Sequence, residues 1–361
     1  MDGGFTLPGK HYTDPDLFRR ELERIFFSMW VYVGRTEEMP TEGSYIKRDV
    51  GGENLIVLNS GSDVRAFSNV CRHRGTELCA DQHGELQHAI KCPYHGWTYD
   101  FTGRLIGAAF MPEGFNRDDY PLHAIAADTW EGHVFVNLSA RPAPLTEQLA
   151  DLPHKFAPWR MEELRLAHRI TYDIATNWKL IVLNYNECLH CPVIHPVLNR
   201  LHHYLGADNE QPSDKYIGGS MGFKPGVQTM TMDGRLRRAY LPGLGEREQT
   251  LVAYYVVYPN SLLSLHPDYM LTHSIWPIAP DRTRIVCEWH FHPDQMSAPG
   301  FDPSDAVEFW DLTNREDWAI SEKSYAGIRS RGYVPGPYST RETLLHAFDQ
   351  WVLRKLGDES R

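Results

Sequence analysis

The stretch CRHRGTELCADQHGELQHAIKCPYHGW, residues 71–97, carries two ligand pairs, Cys71 with His73 and Cys92 with His95. Eighteen residues separate the C-x-H pair from the C-x2-H pair. Thiolates suit both irons of a [2Fe-2S] cluster. Two imidazoles in place of two thiolates on one iron make that iron less anionic and raise the reduction potential. The four side chains therefore read as the ligands of a Rieske-type cluster, a one-electron centre. Each loop also holds a glycine, Gly75 or Gly96, small enough to let backbone N–H groups approach the sulfides. A zinc ion would accept the same four donors, but its common order is Cys, Cys, then His, His. Two loops that each give one Cys and one His favour the cluster.

Around these loops the chain runs in short apolar stretches punctuated by Gly, Asn and Asp: WVYVG (30–34), SYIKRDV (44–50), NLIVLN (54–59), DVRAFSNV (63–70) and HVFVNL (133–138). They predict a small antiparallel β domain. Upstream, Asp14 is placed to cap a helix that starts at Pro15 and carries an apolar stripe of Phe18, Leu22, Ile25 and Met29. Pro142 and Pro144 mark a boundary. Beyond it, 251–257, 261–266, 269–276 and 285–292 predict strands, the last three joined as a meander. Ser339 and Glu342, spaced as a capping box, open a final helix through Leu345, Phe348 and Val352. Residues 205–247, rich in Gly, Asp and Met, lack periodicity and are expected to form an irregular lid or pocket-lining insertion.

A second constellation lies in NWKLIVLNYNECLHCPVIHP, residues 177–196. A helix over 180–190 would align Leu180, Leu183, Asn184, Glu187 and His190 on one face. His195 lies five residues past His190, so the two rings converge only if the helix breaks, and Pro192 and Pro196 provide breaks. Two imidazoles and a carboxylate with open positions make the facial triad of non-haem Fe(II) oxygenases. The acid is sought near the C-terminus, where Val307, Trp310, Thr313, Asn314, Asp317 and Ile320 share helical spacing. Asp317 falls on that stripe, Asp311 and Glu308 point elsewhere, and Glu316 is the nearest rival. On spacing alone, His190 and His195 remain open to reading as packed core histidines.

Taken together, the cluster motif, the helix motif and the C-terminal acid make the chain resemble, over nearly its whole length, the catalytic α subunits of Rieske non-haem iron oxygenases. The resemblance implies that Cys71, His73, Cys92 and His95 bind the cluster and that His190, His195 and Asp317 bind the mononuclear iron. Glu187 matches the acid that, in the family, links a cluster histidine of one subunit to an iron-ligand histidine of its neighbour. Glutamate at that position and the run YVPGPYS (333–339) are similar to the quaternary-ammonium monooxygenases acting on glycine betaine, choline or carnitine. Relatives often have a cysteine and a glutamine where this chain has Ser321 and Ser324. The implied fold class is α+β. The N-terminal helix (1–29) would pack on the catalytic domain, followed by an antiparallel-β Rieske domain (30–141). A helix-grip (SRPBCC/START-like) iron domain with a twisted antiparallel sheet (142–361) would complete the chain.

The expected function is that of a terminal oxygenase, a monooxygenase or dioxygenase. It would use O2 and reductase-supplied electrons to hydroxylate or N-demethylate a quaternary or tertiary methylammonium compound. Tyr185, Trp310, Tyr325 and Tyr338 are candidate aromatic faces for the cation. The alternative is ring hydroxylation or O-demethylation of an aromatic acid, with Arg200 or Asn184 meeting the carboxylate. A Rieske electron carrier without catalysis would leave the second constellation unexplained. No G-x-G-x-x-G follows a strand, and GLGERE at Gly243 is too little, so electrons are expected from an NAD(P)H-dependent flavin or ferredoxin-type reductase. The resemblance further implies a homotrimer.

Composition agrees with a globular enzyme: 361 residues, 42% hydrophobic, net charge −11, pI near 5.9. That charge disfavours nucleic acid and anionic membrane as partners. No apolar run of spanning length and no signal-peptide pattern are visible, which points to the cytoplasm. Of the six cysteines, Cys79, Cys188, Cys191 and Cys287 fall outside the cluster set. Cys188 and Cys191 form a C-x2-C that is read as buried free thiols, with no disulfide framework indicated.

Overall fold

The computed structural model describes residues 4–358. The chain divides into two compact units, residues 26–148 and residues 1–25 together with 149–361.

In the unit of residues 26–148, ten strands follow in order: β1 (Val31–Arg35), β2 (Ser44–Val50), β3 (Glu53–Asn59), β4 (Val64–Ser68), β5 (His83–Glu85), β6 (Ile90–Lys91), β7 (Thr98–Tyr99), β8 (Leu105–Gly107), β9 (Ala124–Trp130) and β10 (His133–Asn137). Among the described residues they form a seven-stranded sheet in the order β1-β10-β9-β4-β3-β2-β5 and a three-stranded sheet β6-β7-β8. All pairings are antiparallel. Ile56, Leu58, Phe67, Ile90, Tyr99 and Leu105 fill the core beneath the two ligand loops. The unit reaches past Pro144 because Gln148 clamps the start of β1: its Oε1 accepts from Trp30 N–H (2.8 Å) and its Nε2 donates to Trp30 C=O (2.7 Å).

The other unit carries a seven-stranded antiparallel sheet, β11-β17-β16-β15-β14-β13-β12 among the described residues. Its strands are β11 (Arg165–Ile174), β12 (His202–Asn209), β13 (Tyr216–Phe223), β14 (Leu251–Val257), β15 (Ser261–Leu265), β16 (Met270–Ala279) and β17 (Arg282–Phe291). Two of them, β13 and part of β12, occupy the stretch expected to be irregular. Their glycines hide the alternation: a Cβ on Gly218 would lie 2.3 Å from the Tyr254 carbonyl, and one on Gly219 2.4 Å from that of Asp208. Strand approach, not side-chain burial, selected these residues.

Helices Trp178–Tyr185 and Ser304–Ile328 lie against this sheet, bonded through Tyr185 Oη to Ser264 (2.7 Å) and Asn314 to His273 (3.1 Å). The helix Pro15–Glu21 starts as the sequence predicts, Asp14 accepting from the N–H groups of Asp16 and Leu17. It is pinned by a fully buried ion pair between Glu21 and Lys179 (2.6 Å), Glu21 also accepting from Trp178 Nε1 (2.8 Å). The last helix, Thr343–Leu356, packs Phe348 on Trp178 and Trp351 on Tyr258. It begins one turn after Ser339, whose N–H the Glu342 carboxylate accepts, so only half of the expected capping box forms.

Candidate metal centres and substrate cavity

The two ligand loops of the first unit are built alike. Cys71 N–H donates to Thr76 C=O and Gly75 N–H to Cys71 C=O, at 2.8 and 3.0 Å; Cys92 to Trp97 and Gly96 to Cys92 repeat this at 2.8 and 3.1 Å. Gly75 and Gly96 both have φ of 72°, a left-handed turn that favours glycine. Both thiols are buried. The rings of His73 and His95 meet edge to face at 4.7 Å, and His73 stacks on Trp97. Tyr99 Oη lies 3.5 Å from Cys71 Sγ, placed to tune the electron density of that sulfur.

In the second unit the helix that begins at Trp178 stops at Tyr185, earlier than the expected 180–190. Asn186 Nδ2 donates back to Val182 C=O (2.6 Å), and the Glu187 carboxylate accepts the backbone N–H groups of Leu189 and His190, capping a new turn. A one-turn helix, Cys191–Ile194, follows with Pro192 in its first turn. His190 and His195 flank it at the two ends. The break therefore precedes His190, and Pro192 starts a turn where it was expected to end one.

The two rings and Asp317 come together. His190 Nε2 and His195 Nε2 are 3.2 Å apart, and Asp317 Oδ1 lies 2.8 Å from the second and 3.3 Å from the first. Two cis ligands about 2.1 Å from one ion sit about 3 Å apart, so this triangle has the dimensions of one face of a first-row metal site. Each histidine is held from behind by a carboxylate. Glu187 Oε1 takes Nδ1 of His190, and Glu316 Oε2 takes Nδ1 of His195 at 2.7 Å. Glu316, the sequence rival of Asp317, thus meets the ring nitrogen that faces away from the triangle. Burial pulls the His190 imidazole down, but Asp317 and Glu187 outweigh it and lift it to about 9. Burial would raise Asp317, yet the two imidazoles hold it below the usual carboxylate range. The site is arranged to accommodate positive charge. The helix that carries Asp317 buries Ala306, Phe309, Thr313, Asn314, Trp318, Ser321 and Tyr325; Thr313 and Asn314 are on the expected stripe, while Val307, Trp310, Asp317 and Ile320 are half-buried.

A cavity of about 290 Å³ opens on this triangle. Tyr185, Tyr204, Tyr254 and Trp310 line it, together with Asn184, Glu187, Asp317 and Arg341. The polar edges of three of the aromatics are tied down: Tyr185 to Ser264 (2.7 Å), Tyr254 to Asn209 (2.7 Å) and Trp310 to Tyr269 (2.8 Å). Of the candidate cation partners, Tyr185 and Trp310 reach the cavity, while Tyr325 and Tyr338 are not among its lining residues; Asn184 reaches it and Arg200 does not. Tyr204, Tyr254 and Arg341 had no local sequence signal. Cys188 and Cys191, expected as free thiols, are joined by a disulfide in the cavity wall. The C-x2-C spacing around the new turn brings their Cα atoms to 4.9 Å, within disulfide range. Beside them His202 is pushed by burial down to about 4 and stays neutral.

Comparison with known proteins gives consistent findings. Residues 29–121 match the Rieske [2Fe-2S] domain, and residues 161–358 match the ring hydroxylating alpha subunit catalytic domain. The glycine betaine monooxygenase oxygenase subunit of Pseudomonas aeruginosa is 31% identical, covering 99% of this chain and 92% of that protein. The carnitine monooxygenase oxygenase subunit of Escherichia coli is 27% identical, covering 91% and 86%. A crystal structure of a quaternary ammonium Rieske monooxygenase superposes with a TM-score of 0.84 at 24% identity, covering 98% and 96%. Naphthalene 1,2-dioxygenase from Rhodococcus sp. follows with 0.79 at 20%, covering 99% and 95%.

Proposed function

Because the chain belongs to the ring-hydroxylating oxygenase α-subunit family, with a Rieske domain ahead of its catalytic domain, we propose that it oxidises an N-methyl group of a quaternary or tertiary methylammonium compound. It is a Rieske non-haem iron oxygenase, and its cofactors are a Rieske [2Fe-2S] cluster and a mononuclear iron. When bound, these supply single electrons and O2 activation.

We assign the cluster to Cys71, His73, Cys92 and His95 in residues 26–148, and the iron to His190, His195 and Asp317. Support for the second set is the triangle of donor atoms at 2.8–3.3 Å. Glu187 and Glu316 hold the Nδ1 protons, which leaves both Nε2 lone pairs to face the metal. Glu187 would also serve as the acid between centres, the cluster of one subunit reaching the iron of the next in a homotrimer. Enzymes of this family work with O2, a substrate and a reductase partner. An NAD(P)H-dependent flavin or ferredoxin-type reductase and a cytoplasmic setting, where nicotinamide is drawn on, complete the reading.

The observation that carries the substrate class is the cavity wall. Fixed aromatic rings and the carboxylates of Glu187 and Asp317 suit a cation held by ring faces. Its relatives named for glycine betaine and carnitine point the same way. Hydroxylation of an N-methyl group would yield a carbinolamine that releases formaldehyde. Arg341 and Asn184, also in the wall, favour the alternative, an aromatic acid whose carboxylate they would meet. A single-turnover assay of the reduced enzyme with O2, methylammonium compounds and aromatic acids separates the two. Formaldehyde with a demethylated amine is expected; a hydroxylated ring, or formaldehyde only from methoxy-aromatics, overturns the substrate class.

A further inference from the structure

The wall of the cavity holds a second group of soft donors that the iron site does not use. Cys188 Sγ, Cys191 Sγ and a ring nitrogen of His202 all lie within 4.8 Å of one another. His202 Nε2 is 3.9 Å from Cys188 Sγ, close to the separation of about 3.5 Å between a sulfur and a nitrogen on one tetrahedral zinc. His202 is 2% exposed, and its other ring nitrogen, Nδ1, is buried without a hydrogen-bond partner. A neutral imidazole beside a C-x2-C pair is the donor chemistry of a zinc site. Cys191 also packs with Met221 and Met230 in an apolar cluster that keeps water from one side of the sulfurs. All three donors line the cavity, so a fourth position would face open space.

We propose that Cys188, Cys191 and His202 form a metal site distinct from the His190, His195 and Asp317 triangle, one that takes zinc when its dithiol is reduced and is closed when the pair is a disulfide. A phosphine or dithiol reductant gives two electrons, and with two protons the S–S bond becomes two thiols. Zinc then binds both sulfurs and the imidazole and releases the two thiol protons. The ion would stand in the cavity wall beside His190, where it competes with substrate for space.

The test uses the enzyme with both iron centres loaded, reduced anaerobically with a phosphine that is then removed, and cadmium(II) alone as the probe. Cluster thiolates are held by iron, the triangle has no sulfur, and Cys79 and Cys287 are single buried thiols present in every variant, so a sulfur-to-cadmium charge-transfer band that depends on Cys188 reports this site. One such cadmium per chain is expected, with an unchanged visible spectrum of the cluster. Bound cadmium should protect Cys188 and Cys191 from alkylation, read by peptide mass spectrometry on the wild-type chain. Oxidised enzyme and Cys188→Ser should give no band, and His202→Ala should bind more than about tenfold more weakly, the loss expected for even an outer partner of a ligand. No band in the reduced wild type, a band that survives Cys188→Ser, or alkylation undiminished by cadmium would overturn the site. None of these readouts uses an amine substrate, so they stand or fall apart from the proposed reaction.

Discussion

Replacing Glu316 with alanine removes the carboxylate that orients His195 and leaves the triangle of donors in place. His195 is 1% exposed, so its Nδ1–H, now 2.7 Å from Glu316 Oε2, would lose its partner in a site water barely reaches. Leaving a buried donor unsatisfied costs about 1–3 kcal/mol, which at about 1.4 kcal/mol per decade is roughly a 5- to 150-fold loss in iron affinity. Glu316 is itself 26% exposed, so solvent places the effect toward the lower end. Glu316→Gln keeps an acceptor oxygen without the charge and should fall between wild type and alanine. Asp317→Ala removes a donor from the triangle itself and should lose iron altogether. The assay is anaerobic titration of iron-depleted mononuclear sites with Fe(II) against a competing chelator, with the cluster spectrum as the control for folding. A change below about twofold in Glu316→Ala, when outer partners usually contribute 10- to 100-fold, would refute the orienting role. If Glu316→Ala abolished binding while Asp317→Ala kept it, the two acids would exchange roles.

Glu187→Gln should retain both iron centres but slow product formation in a single turnover, because the amide no longer holds the His190 proton as an anion does; unchanged rates would remove Glu187 from the electron path. Glu21→Ala strands the Lys179 ammonium, 0% exposed, and should destabilise the second unit by about 3–5 kcal/mol, read in urea, whereas Glu21→Leu with Lys179→Met should recover most of that loss. A double variant no better than either single would mean that the pair is not what holds the N-terminal helix. His266, buried and stacked on Tyr269 at 4.0 Å, is pushed down to about 3 by burial. Its folded pKa lies below the unfolded value, so the unfolded chain takes up a proton first and stability falls as pH drops from about 6.5, by about 1.4 kcal/mol per pH unit for this group. His266→Phe keeps the stack and should flatten the acid limb of a stability–pH curve by one proton, and an unchanged slope would assign that uptake elsewhere.

The parts of the molecule that were legible in the sequence are those whose partners lie close along the chain. Each cluster loop closes on itself within six residues, so Cys71 with His73 and Cys92 with His95 could be paired without knowing the sheet around them. The cap at Asp14 and strands β14–β17 were readable for the same reason. Strands β12 and β13 were not, because Gly218 and Gly219 were selected by how closely two backbones approach and leave no alternation to read. The helix end at Tyr185 was missed because Glu187, expected on a helical face, takes backbone N–H groups as a cap and thereby ends the pattern it was assigned to.

The choice between Glu316 and Asp317 shows why spacing alone left the site open. Neighbours on a helix differ by about 100°, and either could have turned toward the histidines. What separates them is the second carboxylate, Glu187, on the far side of His190. With Glu187 at Nδ1 of one ring and Glu316 at Nδ1 of the other, both imidazoles are held with Nε2 inward, and only Asp317 meets both Nε2 atoms. Two acids behind the rings and one before them gather three carboxylates around one position, and the acids at their sides lift both imidazoles, Asp317 and Glu187 that of His190 and Asp317 and Glu316 that of His195. A dication answers that balance better than protons do. The same excess of negative charge extends through Glu187 and Asp317 into the aromatic-walled cavity, so the electrostatics that suit the iron also favour a cationic substrate beside it.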